Sequence, residues 1–211
     1  VSVAVALGMG LVLGLRHATD ADHVAAVATL LQREHTTVAA ARIGALWGLG
    51  HGLVLIVAAA LMQFAGVVVA PRFAFAAELC VCVMLVLLGV VGLRRARRTH
   101  AEKIDTHKIK SSQENRAIGV GAMHGLAGSS AVVLLAAASN EALSPVAFIS
   151  LFSVGTVLGM ALTTTLLSFA LTRAARRSER MQTSLLTAAS ASSIVLGVVL
   201  GALLVRGAVT S

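Results

Sequence analysis

The sequence predicts an all-α membrane protein with six transmembrane helices arranged as a 3+3 inverted repeat. Composition, the placement of charge and a likeness between the two halves carry that expectation. The chain is 57% hydrophobic with a mean hydropathy of +0.90, and 12% of its residues are charged, whereas soluble chains are nearer a quarter charged. Apolar runs of about 20 residues recur, the length of a spanning helix; barrel strands would be about 10 residues long and alternating. A net charge of +8 and a pI near 11.3 would suit nucleic acid. The basic residues, however, gather in loops beside hydrophobic runs, so they read as topology signals: the bilayer is the expected partner and nucleic acid is not.

Six spans follow in order, at about 3–31, 43–64, 73–93, 118–138, 146–171 and 182–206. The first is long, and Gly8, Gly10, Gly14 and the polar stretch behind them are suited to break or tilt it. The longest connection opens with Arg94-Arg95-Ala96-Arg97-Arg98 and adds Lys103, Lys108, Lys110 and Arg116. Arg173, Arg176, Arg177 and Arg180 lie between the last two spans, and Arg33 and Arg42 flank the first link. Loops 32–42, 94–117 and 172–181 therefore share one side, which the positive-inside bias makes cytoplasmic, with both termini outward. No charged segment precedes the first apolar run, so no signal peptide is expected. Cys80 and Cys82 point to different faces of one helix and read as packing residues.

Gly14-Leu15-Arg16-His17 aligns with Gly121-Ala122-Met123-His124, and Trp47-Gly48-Leu49-Gly50-His51 with Phe152-Ser153-Val154-Gly155-Thr156. Leu88-Gly89-Val90-Val91 matches Leu196-Gly197-Val198-Val199. The offsets are 107, 105 and 108 residues, nearly constant. Three spans per repeat is an odd number, so the second repeat is inverted relative to the first, a common secondary-transporter design. The predicted division is 1–93 for the first repeat, 94–117 for a basic loop and 118–211 for the second repeat.

The main functional clue is Arg16-His17-Ala18-Thr19-Asp20-Ala21-Asp22-His23, five ionisable side chains inside the first span. Such groups are costly at bilayer depth and mark ion or substrate paths. Two imidazoles and two carboxylates this close are ligands for a divalent transition metal, with nickel or cobalt favoured over hard cations and zinc and iron left open. His51 falls at a similar depth in the second span and completes a metal set of His17, Asp20, Asp22, His23 and His51. A straight helix could not aim all four groups of the motif at one ion. Either the backbone opens around the motif, or Asp22 orients a histidine. The bland alternative is a buried ionic knot of the two Asp with Arg16 and protonated His.

Other polar residues are read with blander roles beside functional ones. His124 serves packing or the ion pathway, and Thr156 and Glu78 are further pathway candidates. Glu78 guides cations or pairs with Arg72, while Thr163, Thr164, Thr165 and Ser168 line the inner exit or, as the blander reading, bond back to their own helix. His100 and His107 belong to the basic loop, where positive charge would repel a dication.

His17-Ala18-Thr19-Asp20-Ala21-Asp22-His23 resembles the His-x4-Asp-His motif of the nickel/cobalt transporter family, and Trp47-Gly48-Leu49-Gly50-His51 resembles its Gly-His element in the following span. His124-Gly125-Leu126-Ala127-Gly128-Ser129 is similar to the six-span branch related to urease-accessory-type, UreH-like membrane proteins. The resemblance implies that His17, Asp22 and His23 recognise metal, with His51 a fourth ligand. Three things depart from the family's pattern. The acidic motifs of its later spans are absent, Gly52 stands where a hydroxyl residue is usual, and the chain starts at the motif helix itself.

The function expected is inward permeation of Ni²⁺ or Co²⁺, with the ion as cargo and no cofactor. A metallochaperone or coupling subunit is the candidate protein partner. The alternatives are a permease for manganese, iron or zinc and a membrane accessory protein that binds metal without carrying it. An enzyme is not expected, because His-Glu-x-x-His is missing and no Glu base stands beside the histidines.

Overall fold

The computed structural model describes residues 3–31, 36–67, 70–97, 113–128 and 144–210. These form seven helices: α1 (Val3–His17), α2 (Ala21–Leu30), α3 (Thr37–Ala65), α4 (Pro71–Arg97), α5 (residues 113–128), α6 (Pro145–Arg177) and α7 (Glu179–Thr210). Helices α3, α4, α6 and α7 are long and apolar enough to cross a membrane. At 1.5 Å per residue α3 is about 44 Å long, beyond the roughly 30 Å hydrocarbon thickness. The protein is an integral, multi-pass, all-helical membrane protein. Arg33, Lys103, Lys108, Lys110, His100, His107, most of loop 94–117 and the later part of the 118–138 span lie outside the described residues.

The predicted first span is two helices, broken at Ala18-Thr19-Asp20. The Thr19 hydroxyl and N–H both donate to the Arg16 carbonyl, at 2.6 and 2.9 Å, and the Asp20 N–H donates to the His17 carbonyl at 3.0 Å. These tight turn bonds replace the α-helical ladder, as Thr and Asp do where they compete for nearby backbone. Asp20 then starts α2 with an extended backbone, yet its side chain makes no capping bond; it is engaged elsewhere, as described below. Helix α2 is too short to span a bilayer, and from Ala25 to Leu30 every residue is buried against α4, α6 and α7.

Long helix–helix contacts build the rest, antiparallel for α3 with α6 and α4 with α7, parallel for α1 with α6 and α3 with α5. Helix α6 lies along α3 and α1, and α4 along α7. Glycine makes these approaches close. A Cβ at Gly14 would run into the Phe152 carbonyl and one at Gly155 into the Leu11 carbonyl, which sets α1 against α6. On the opposite flank, a Cβ at Gly121 would run into the Trp47 carbonyl and one at Gly50 into the Ile118 carbonyl, which sets α5 against α3. Gly89 meets Ser190 and Ile194, while Gly197 meets Cys82, Leu85 and Val86. Lipid tails supply no hydrophobic drive between helices, so such close backbone packing is what holds them together. The Ser193 hydroxyl adds a bond of 2.8 Å to the Leu85 carbonyl.

The two ends of the bundle are tied differently. At one end the Arg42 guanidinium donates to Glu114 at 3.3 Å, joining the starts of α3 and α5. At the other, Gln63 Oε1 accepts from the Ser144 hydroxyl at 2.9 Å and the Val146 N–H at 3.3 Å, joining the end of α3 to the start of α6. Gly66 closes α3 in the left-handed region at φ 63°, a conformation costly to residues with a Cβ. Between α6 and α7 only Ser178 is non-helical. Three apolar clusters fill the interior among the described residues: Ala6, Leu55, Ala59, Phe148, Ile149 and Phe152 form one, Trp47, Val27, Leu31, Ile43 and Met160 belong to a second, and Ala26, Val81 and Leu85 form the third. The rings of Phe152 and Trp47 face the polar residues.

Candidate metal centre

The break between α1 and α2 delivers the motif. His17 is the last residue of α1, and Asp22 and His23 lie in the first turn of α2. The negative end of one half-helix dipole thus points toward a site suited to a cation. Helix α3 contributes His51 and Trp47, and α5 contributes His124. His23, His51 and His124 are buried, with 2%, 0% and 3% of their surface exposed.

The imidazoles meet one another. Ring centroids are 4.4 Å apart for His17 and His23, 5.2 Å for His17 and His51, 5.4 Å for His23 and His51, and 5.0 Å for His23 and His124. Phe152 lies 5.3 Å from His17. Trp47 stacks on His51 at 5.4 Å and stands 4.7 Å from His23 and 5.2 Å from His124.

Three of the four histidines are anchored through Nδ1. His17 Nδ1 is 2.7 Å from an Asp20 carboxylate oxygen, His23 Nδ1 is 3.0 Å from Asp22 Oδ1, and His124 Nδ1 is 3.3 Å from the Val120 carbonyl. A carboxylate or carbonyl can only accept, so each Nδ1 carries the proton and donates, and in the neutral ring Nε2 keeps a lone pair. Carboxylate-held imidazoles of this kind are common around metals, because the outer bond fixes the ring and raises its basicity. Nε2 of His17, His23, His51 and His124, and Nδ1 of His51, are all buried without a hydrogen-bond partner among the described residues. Each such orphan costs about 1–3 kcal/mol, a cost that a bound cation offsets.

Two sets of donors are close enough to hold an ion: His17, His23 and His51, and Asp22, His23 and His124. Within each set, one ligand atom per residue lies within 4.8 Å of the others. Donors on one ion with bonds near 2.1 Å stand roughly 3–4 Å apart, so a closure of about 1 Å completes either set.

Of the residues expected at the site, His17, Asp22, His23 and His51 are brought together. Asp20 belongs to neither set; its carboxylate is half-exposed and holds His17. Asp20→Asn is expected to weaken metal binding by about 10–100-fold, the usual cost of losing an outer partner, without unfolding the protein. Titration calorimetry beside a thermal melt checks both halves of that outcome. Arg16 is exposed, and the two Asp pair with histidines instead. Glu78 stands part-buried on α4 and is in neither set. Thr156 is fully buried, its hydroxyl donating to the Phe152 carbonyl of its own helix at 3.0 Å. Thr164 and Thr165 bond back likewise. Trp47 and Phe152, the aromatic walls, were not among the sequence candidates, although the aligned repeat segments begin on them.

Spanning helices around a buried, preorganised imidazole cluster define a membrane protein able to hold a metal ion in its interior. The chain is 30% identical over 181 aligned residues to the urease accessory protein UreH of Bacillus sp. (strain TB-90), covering 81% of this chain and 79% of that one. It belongs to the family of that UreH protein. No family model matches the chain, and no solved structure matches it significantly. By its name the relative is an accessory protein rather than an enzyme.

Proposed function

We propose that this protein carries a divalent transition-metal ion, nickel or cobalt, across its membrane through the histidine–aspartate cluster. One observation supports this above the rest: four imidazoles converge in the interior with their Nε2 atoms buried and unpartnered. A structural role would leave those atoms hydrogen-bonded. Imidazole with carboxylate suits nickel and cobalt better than magnesium or calcium. The ion sheds water as His17, His23 and His51 replace its hydration shell.

The architecture we propose is a 3+3 inverted repeat of residues 1–93 and 118–211, with α1 and α2 together as the first span. The close contacts support it by occurring in matched pairs. Gly14 on Phe152 has its counterpart in Gly121 on Trp47, and Gly155 on Leu11 has one in Gly50 on Ile118. Gly89 on Ser190 and Ile194 is answered by Gly197 on Cys82 and Val86. Every residue exchanges with its partner at the sequence offsets of 105–108. A chance alignment of small residues would not generate reciprocal contacts across three helix interfaces. Rocking of one repeat on the other would expose the site alternately. The basic ends at loops 32–42, 94–117 and 172–181 face the cytoplasm in this reading. An inward potential then supplies roughly 4.6 kcal/mol per 100 mV for a dication; a metallochaperone or coupling subunit would receive the ion or add to that drive.

The test is radiolabelled nickel uptake in cells lacking their own transporters. The intact protein is expected to take up nickel, cobalt to compete, and the His17→Ala, His23→Ala double variant to lose uptake at equal membrane abundance. Equal uptake by the double variant would remove the mechanism; stronger competition by manganese, iron or zinc would reassign the cargo. The relative's name favours a second reading, an accessory protein that binds metal without carrying it. Metal bound by sealed vesicles with no accumulation inside would establish that instead.

A further inference from the structure

The second donor set has its own logic. With its proton on Nδ1 toward Val120, His124 turns the Nε2 lone pair toward Asp22 Oδ2, 3.6 Å away. Two acceptors facing each other in a buried site repel unless a cation lies between them. Asp22 meanwhile uses its other oxygen on His23, so the carboxylate orients one imidazole and faces another.

The two sets are built alike. His17 is backed by Phe152 at 5.3 Å and His124 by Trp47 at 5.2 Å, and the repeat alignment pairs His17 with His124 and Phe152 with Trp47. His23 belongs to both sets. His51 is replaced at its aligned position by Thr156, whose hydroxyl is spent on its own helix, and Asp22 supplies the missing donor of the second set.

We propose that His124 is a metal ligand and that the centre is two overlapping ion positions sharing His23, between which one ion is handed across. The bonds from His17 and His51 break as those to Asp22 and His124 form, while His23 Nε2 holds the ion throughout. No proton or electron moves, and the dication travels from a position of neutral donors to one that includes a carboxylate. Sharing His23 limits occupancy to one ion per chain. This inference rests on the metal-transport reading above.

The test uses Co²⁺ as probe on the purified full chain in lipid nanodiscs, reading stoichiometry, affinity and the ligand-field spectrum. The wild type is expected to bind one Co²⁺. His51→Gln leaves the second position intact, so it still binds one Co²⁺, more weakly and with an altered spectrum. Adding His124→Gln to His51→Gln is expected to weaken binding at least tenfold further. Should the His124→Gln chains fail to elute as a folded species, His124→Met keeps the bulk and carries the same expectation. An unchanged affinity and spectrum on altering His124 in the His51→Gln background, or two Co²⁺ per wild-type chain, would overturn the proposal. Sealed-vesicle uptake separates this from the transport reading. Binding as expected with no wild-type flux sinks transport and keeps both positions, whereas wild-type flux in His124→Gln sinks the hand-off alone.

Discussion

His23→Gln is expected to abolish saturable Co²⁺ or Ni²⁺ binding by the purified protein, lowering affinity by more than about 100-fold. His17→Gln and His124→Gln should each lower it far less. The contrast follows from geometry: His17 and His51 serve one donor set and Asp22 and His124 the other, but His23 serves both. Losing a mere outer partner costs about 10–100-fold, so losing a direct donor common to both sets should exceed that range. The variant should remain folded, because the Gln amide is of similar reach and keeps an N–H able to replace the bond from His23 to Asp22. Isothermal titration on the three variants checks the ranking. Equal losses in all three would mean that His23 holds no special place.

The largest effect on stability is expected on α5. Gly121→Ala places a methyl group against the Trp47 carbonyl, whereas Gly119→Ala, two residues away, meets nothing within 4 Å. Helix propensity alone would reward both by about 1 kcal/mol. At position 121 that gain is overwhelmed, because the obstacle is backbone and cannot rotate aside. Overpacking of a tight interface costs about 1–3 kcal/mol when side chains yield, and the cost here should lie at or above the upper end. Thermal melts in detergent should show a lower midpoint for Gly121→Ala and an unchanged or higher one for Gly119→Ala. Similar midpoints would show that the α3–α5 approach is looser than described.

Much of this was legible before any coordinates. Hydropathy places α3, α4, α6 and α7 within several residues of their ends, and the helices overrun the apolar runs because they extend past the hydrocarbon. The convergence of His17 and His51 follows from equal depth on neighbouring spans, and the structure brings the rings to 5.2 Å. The motif itself left two arrangements open, an opened backbone or an orienting Asp22. Both features occur: the helix breaks at 18–20 and Asp22 holds His23. The motif makes Asp20 a candidate ligand, but its carboxylate is turned to the back of His17. Sequence spacing cannot reveal that choice, because the turn at Thr19 decides where the chain points. Sequence alone gives His124 a packing or pathway role, and the repeat alignment sets it opposite His17. Nothing in one helix's pattern fixes its rotation against another, so the contact with Asp22 needed the assembled bundle.

Ser178 joins the two longest helices by a single non-helical residue. Helix α6 has 33 residues and α7 has 32, each roughly 50 Å long, so they behave as two levers on one pin. Neither can slide along its axis without dragging the other, since one extended residue gives at most about 3.5 Å of slack. Helix α6 carries Phe152 beside His17 and runs along α1 and α3, while α7 is clasped to α4. Any shift of α6 that loosens the grip on an ion is therefore felt at the distant α4–α7 seam. If the protein carries metal as proposed, a cross-link placed across that seam is expected to stop flux without touching a single donor atom.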